Sequence, residues 1–231
     1  MARKKNQSRH NKMRYLITKL SPRSPVSEQY RTVRTNLQFS AVDEELQSMV
    51  VTSAGPGDGK SMTTANLAVV YAQQGKKVLL IDADLRKPTV HYTFRVDNLN
   101  GLSNYLVGGS ALTDVSTPSD VDNLDIISCG PIPPNPSELL ASKRMEKLID
   151  EAKQSYDIII FDTPPVLAVA DAQILSSLCD GSILVVRSNQ TEYDPATKAI
   201  EALKSVNAKI LGTILNDRTK QDSNYYYYYG Q

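Results

Sequence analysis

Two stretches of the sequence, Val78-Leu79-Leu80-Ile81-Asp82 and Ile158-Ile159-Ile160-Phe161-Asp162, are apolar at every position until each ends on an acid. A strand with one wet face alternates apolar and polar residues. An unbroken apolar run demands cover on both faces, which is the pattern of a parallel sheet. Further largely apolar runs occupy residues 49–52, 124–128, 181–186 and 209–215. Between them, residues 61–74, 136–154, 171–178 and 195–206 have helical character, and residues 27–39 place Tyr30, Val33 and Leu37 at helical spacing. This alternation predicts a doubly wound α/β domain, a mostly parallel central sheet with helices on both faces. The 231 residues suit one such domain with enough core to stand alone. We expect it over residues 26–220, after an arm over residues 1–25 closed by Pro22 and Pro25, and before a short tail over residues 221–231.

In sheets of this kind ligands gather beyond the carboxyl ends of the strands. Asp82, Asp84 and Asp162 fall there, and so does Ala54-Gly55-Pro56-Gly57-Asp58-Gly59-Lys60-Ser61, which follows the first strand and opens a helix. Its glycines let the loop wrap backbone N–H groups around a phosphate chain, and the helix N-terminus adds its own unpaired donors. Lys60 neutralises phosphate oxygens and Ser61 offers a hydroxyl to Mg²⁺. The strict pattern opens on glycine where this chain has Ala54, and Met62 brings a backbone N–H but no hydroxyl. The expected ligand is therefore Mg-ATP on a P-loop NTPase fold, bound by Gly55, Gly57, Asp58, Gly59, Lys60, Ser61 and Met62. Ser61, Asp82 and Asp162 are the expected metal residues, acting directly or through water as Mg²⁺ prefers. An acid at a strand end can instead cap the next helix, a poor fit for Asp162 before Thr163-Pro164-Pro165. Asp84 reaches past the metal towards the γ-phosphate, where a carboxylate accepts the proton of an attacking hydroxyl or water. Lys60, Asp82, Asp84 and Asp162 make up the expected catalytic set. Arg86 and Lys87 are placed to offset charge on the transferred group, with plain solvation an equal reading for Lys87.

In-line phosphoryl transfer to water makes an ATPase; transfer to a side-chain hydroxyl makes a kinase. One feature chooses between them: Tyr225, Tyr226, Tyr227, Tyr228 and Tyr229 form an unbroken aromatic run. The run is either an inter-subunit strand or a display of phenolic hydroxyls. A phenol ionises more readily than an aliphatic alcohol, so a modest carboxylate base suffices. So short a tail reaches a neighbour's site more readily than its own. Glu28, Arg31 and Arg34 recur every three residues on one helical face. That face is either a solvated stripe or the subunit interface such delivery needs.

The net charge of +1 conceals a segment, residues 1–23, with Arg3, Lys4, Lys5, Arg9, Lys12, Arg14, Lys19 and Arg23 and no acid. It reads as a solvated arm or one lying near anionic lipid. No zinc spacing, recognition helix or stacking aromatics accompany it, so nucleic acid is not an expected partner. There is no apolar segment near the length of a membrane span and no secretion signal. Cys129 and Cys179 have no ligand spacing and read as packing thiols in a reducing compartment.

Jointly these motifs resemble those of the bacterial tyrosine kinases (BY-kinases) of Gram-positive capsule and exopolysaccharide systems, in the form where the kinase is separate from its membrane activator. The resemblance runs from Glu28 to the tail. Residues 54–61 are similar to the family's Walker A loop, residues 79–86 to its second Walker A′ motif, and residues 158–162 to Walker B. Glu28, Arg31 and Arg34 match the motif through which the family assembles rings, and the five tyrosines match its autophosphorylated cluster. Asn216 looks like the asparagine that contacts adenine in related folds, and Pro131-Ile132-Pro133-Pro134-Asn135-Pro136 resembles a proline-rich family segment, read here as a loop. Asp217 stands where a lysine is common.

The resemblance implies phosphorylation between subunits that releases the ring, and activation by the cytoplasmic segment of a transmembrane polysaccharide co-polymerase. It further implies a cognate tyrosine phosphatase, other protein-tyrosine substrates, and a cytoplasmic kinase recruited to the inner face of the membrane. The competing reading is a MinD/ParA-type Mg-ATPase switch. Those proteins carry a second lysine early in the phosphate loop, where this chain has Gly55, and they leave the tyrosine run unexplained. A scaffold that kept the pocket and lost turnover is disfavoured by the full set Lys60, Ser61, Asp82, Asp84 and Asp162.

Overall fold

The computed structural model describes residues 16–40 and 46–218. In chain order these form α1 (Ile17–Leu20), α2 (Pro25–Phe39), β1 (Ser48–Ser53), α3 (Lys60–Ala72), β2 (Val78–Asp82), α4 (Val90–Phe94), α5 (Leu102–Val107), α6 (Leu112–Val115), β3 (Ser116–Pro118), β4 (Leu124–Ile127), α7 (Pro136–Leu140), α8 (Lys143–Lys153), β5 (Ile158–Asp162), α9 (Asp171–Ser176), β6 (Gly181–Arg187), α10 (Tyr193–Lys204) and β7 (Ile210–Asn216). The sheet runs β3-β4-β2-β5-β1-β6-β7. Every pairing is parallel except that of β3 with β4.

The unbroken apolar runs are explained by two cores. Met49, Val51, Val78, Leu80, Ile158 and Ile160 face one, under α3. Their alternate neighbours Val50, Leu79, Ile81, Ile159 and Phe161 face the other, shared with residues of α5, α8 and α9. Leu184 of β6 packs with Ala199 and Leu203 of α10. Since successive side chains of a strand point to opposite faces, each of these strands needs apolar residues at every position.

Helix α3 is buried at every position from Thr63 to its end at Ala72. A helix apolar all round must be covered on the side away from the sheet as well, and α1 and α2 supply that cover. Here the structure departs from the expected arm: residues 16–20 are folded, with Leu16 and Thr18 buried. Thr18 is fastened by its N–H and hydroxyl to Asn66 Oδ1 at 3.1 and 2.8 Å. Proline at its N1 position and the Ser24 side chain capping Ser27 N–H start α2 two residues earlier than expected.

The single helix expected over 136–154 is two, broken at Ala141 and Ser142, where Ser142 Oγ donates to the Leu139 carbonyl at 2.6 Å. Helices α4, α5 and α6 and the antiparallel edge strand β3 had no counterpart among the expected elements. They are short, and tertiary packing rather than periodicity holds elements of this length.

Candidate active site

Register brings the two strand-end acids together. In the parallel β2–β5 pairing Asp82 is opposite Asp162, and in β1–β5 Val51 is opposite Asp162. By the two-residue period, Asp82 shares the face of Val78 and Leu80, and Asp162 that of Ile158 and Ile160. Both carboxylates therefore point at the first turn of α3, which carries Lys60, Ser61 and Thr64. Lys60 Nζ lies 3.4 Å from Asp84 Oδ2, 3.6 Å from Asp162 Oδ1 and 3.2 Å from Ser61 Oγ. Thr64 Oγ1 donates to the Lys60 carbonyl at 2.8 Å and lies 3.5 Å from Asp162 Oδ1.

The loop before α3 is held by contacts of its own. Gly57 and Gly59 have φ of 93° and 89°, a region that side-chain-bearing residues rarely adopt. A Cβ on Gly59 would also lie 2.0 Å from Asn216 Nδ2. Asn216, the last residue of β7, donates from that amide to the Asp58 carbonyl at 2.9 Å. The Asp58 side chain, expected among the ligand contacts, is spent inside the loop: it accepts from Gly55 N–H at 3.3 Å and from Thr191 Oγ1 at 2.9 Å. Its backbone remains for a phosphate. Thr191 and Arg187, whose Nη1 approaches the Gly57 carbonyl at 3.4 Å, brace the loop from the end of β6. Neither carried a signal in the sequence, because each acts more than a hundred residues from its partner.

The electrostatics of the cleft suit a bound cation. Asp82 and Asp162 are fully buried. Asp82 Oδ2 accepts from the N–H groups of Thr89 and Val90 at 2.8 and 2.9 Å, so the helix-capping role weighed against metal binding is also filled, by one oxygen. Among the described residues the other, Oδ1, has no hydrogen-bond partner, and neither has Asp162 Oδ2. Burial first, then the charge of Asp162, pushes the Asp82 pKa up to about 7. Burial likewise raises that of Asp162, against the opposing pull of Lys60. For Lys60, burial favours the neutral form, but Asp162 and Asp84 together outweigh it and hold the ammonium above its ordinary value.

Among the described residues no group of three or more His, Cys, Asp or Glu forms an all-protein metal cage. The two orphaned oxygens of these paired acids instead suit an ion that takes one or two carboxylates and completes its shell with phosphate and water, as Mg²⁺ does.

A pH dependence follows. An acid whose folded pKa lies above its unfolded value of about 3.9 binds more protons when folded, so the ligand-free chain loses stability as pH rises from about 4 to about 7. Melting of the ligand-free protein should be higher at pH 5.5 than at pH 8 by roughly 4–8 °C. Mg-ADP should close the gap, because the cation replaces the proton. Asp82→Asn should flatten it, and an unchanged gap in that variant would show that Asp82 is not its source.

Comparison with known proteins agrees with this geometry. A family model described as an AAA domain matches residues 47–216. The tyrosine-protein kinase YwqD of Bacillus subtilis (strain 168) is 53% identical over 230 residues, covering 100% of this chain and 97% of that protein. The chain belongs to the bacterial tyrosine kinases. Among solved structures, the chimerical protein CapA2B2 superposes on the kinase with a TM-score of 0.86 at 44% identity, covering 89% of this chain and 90% of that one. The kinase domain of the Escherichia coli tyrosine kinase ETK gives 0.87 at 37% identity, covering 92% and 83%. Family membership sets the MinD/ParA-type reading aside.

Other expected residues of the kinase are distributed as follows. Met62 lies in the first turn of α3, its carbonyl accepting from Asn66 Nδ2 at 2.8 Å. The Arg86 guanidinium is clamped by Asp171, a buried acid whose only sequence signal is its place at the start of a helix. On α2 the expected polar face is divided. Arg34 Nη1 donates to the Val70 carbonyl at 2.7 Å and so anchors α2 to α3, whereas Glu28 and Arg31 pair with each other at 2.5 Å on the outside. Asp217 pairs with Arg187 at 2.6 Å. The five tyrosines and most of the basic arm lie outside the described residues.

Proposed function

We propose that this ATP-dependent tyrosine kinase phosphorylates Tyr225, Tyr226, Tyr227, Tyr228 and Tyr229 of neighbouring copies, and by doing so regulates polymerisation and export of a capsular or exopolysaccharide. The observation that carries the reading is the placement of Asp84, only 6% exposed, at the mouth beyond the paired acids and in contact with Lys60. Backbone N–H groups of the loop hold the phosphates of ATP, and Lys60 moves from Asp84 to the phosphate oxygens. Asp84, released from its ion pair, then accepts the phenolic proton. The phenolic oxygen bonds to the γ-phosphorus as the bond from that phosphorus to the bridging oxygen breaks, and ADP leaves with the electron pair. Ser61, Asp82 and Asp162 would hold Mg²⁺, which supplies neutralisation of phosphate charge. Asn216 borders the loop from the end of β7, where an adenine ring would lie.

In this reading Glu28 and Arg31, outward on α2, meet a neighbouring subunit in a ring, and Arg34 supports them from within. The kinase works in the cytoplasm at the inner face of the membrane. It is recruited and activated there by the cytoplasmic segment of a transmembrane co-polymerase, and a cognate phosphatase resets it. Consistent with an external anchor, no helix among the described residues is long and apolar enough to cross a membrane.

The test is transfer of labelled γ-phosphate to the full chain in the presence of the activating segment, with label located by mass spectrometry. Label within residues 225–229, lost on truncation after Asn224, is the expected result. ATP hydrolysis with no protein label would overturn the acceptor assignment.

A further inference from the structure

The Walker A′ segment of this site is tied to α9 by the ion pair of Arg86 with Asp171. Asp171, at the start of α9, is fully buried. Its Oδ2 accepts from Arg86 Nε at 2.9 Å and its Oδ1 from Arg86 Nη2 at 3.1 Å. Ser137, in the first turn of α7, closes the group: its hydroxyl donates to Asp171 Oδ1 at 2.6 Å and receives Arg86 Nη2 at 3.0 Å. A planar guanidinium held by two bonds to a carboxylate fixes direction as well as distance.

Arg86 is two residues from Asp84, and the two are linked through the backbone. Asp84 Oδ1 accepts from Lys87 N–H at 2.9 Å and from Arg86 N–H at 3.4 Å, leaving Oδ2 to face Lys60. Leu85 between them is fully buried. The orientation of the Asp84 carboxylate is therefore set by the backbone at residues 86–87. That backbone is in turn pinned to the segment following β5 and to α7. A shift of about 1 Å in a reacting group is enough to cost on the order of a hundredfold in rate, so a rigid anchor here has a direct chemical use.

We propose that Asp171 is a positioning residue for phosphoryl transfer: with Ser137 it holds Arg86, and through Arg86 it aims Asp84 at the acceptor hydroxyl. The inference rests on the assignment of Asp84 as the proton acceptor. Arg86 accordingly acts as a strut and not as a clamp on the transferred phosphoryl.

The test uses Asp171→Asn, which keeps shape and an acceptor for Ser137 but removes the charge, together with Arg86→Lys, which keeps the charge but cannot make the bidentate contact. In the γ-phosphate transfer assay with full-length protein, each should lower kcat by about tenfold or more while KM for ATP stays within about twofold, the pattern of an interaction that matters in the transition state. Placed on Asp84→Asn, neither should slow the enzyme further, because the residue they act through is already gone. Unchanged kcat in Asp171→Asn, including a lowered melting temperature with full turnover per folded molecule, overturns the proposal. So does a loss that adds fully to that of Asp84→Asn. If the wild type hydrolyses ATP without labelling tyrosine, the tyrosine-acceptor reading fails. The same non-additivity, read on hydrolysis rates, then decides the role of Asp171 separately.

Discussion

Asp84→Asn is expected to lower kcat for tyrosine phosphorylation by about 10²- to 10⁴-fold, the range over which a positioned proton acceptor contributes, with ATP affinity largely kept. The substitution is close to isosteric. An asparagine Oδ1 can still accept from the N–H groups of Lys87 and Arg86, so the loop over residues 84–88 keeps its turn. Lys60 keeps Asp162 at 3.6 Å, so its charge stays compensated. What disappears is a carboxylate able to take the phenolic proton. Binding of a fluorescent ATP analogue and steady-state transfer, measured on the same preparation, separate the two effects. Transfer at the wild-type rate would remove Asp84 from the chemistry. A loss confined to KM would instead make it a binding residue.

Lys60→Met should abolish measurable transfer and also weaken the ligand-free fold. The first effect is electrostatic: one preorganised donor aimed at developing charge is commonly worth about 10²- to 10³-fold, and Lys60 adds a full charge in a site it shares with few other cations. The second follows from burial. The Lys60 side chain is 13% exposed and that of Asp162 not at all, with Asp82 beside it. Removing the cation from a buried pair typically costs about 3–5 kcal/mol, because an uncompensated carboxylate is left in a poorly solvated place. Protonation of Asp162 limits the loss, so the destabilisation should shrink as the pH is lowered towards 5. Urea unfolding at pH 8 and pH 5.5 measures it. A Lys60→Met variant as stable as the wild type at pH 8 would mean that water already compensates the acids in the ligand-free protein.

Much of this kinase is decided by local pattern. The apolar runs ending at Asp82 and Asp162 have one solution, strands covered on both faces, and the two cores that bury their alternate residues are its direct expression. The loop around Gly57 and Gly59 needs positive φ, and glycine at those positions announces it. An acid at the end of a parallel strand falls at the ligand edge of the sheet by topology alone. For these reasons the convergence of Lys60, Ser61, Asp82, Asp84 and Asp162 on one cleft is legible in the sequence.

What the pattern leaves open is every contact between residues distant in the chain. That Asp82 lies opposite Asp162 depends on strand order and register, set by how the whole sheet closes. The three-residue spacing groups Arg34 with Glu28 and Arg31 on one face, yet Arg34 is drawn inward by a carbonyl of α3 that only packing brings within reach. The sequence shows the charge of Arg86 and not its partner, which is Asp171, far along the chain. The foot of the basic arm folds because α3 is apolar all round and needs cover on its outer side, a demand made by a helix some forty residues away. Local periodicity specifies which face of an element is apolar. Only the assembled core specifies what covers it, and the aim of each polar group in the site comes from that assembly.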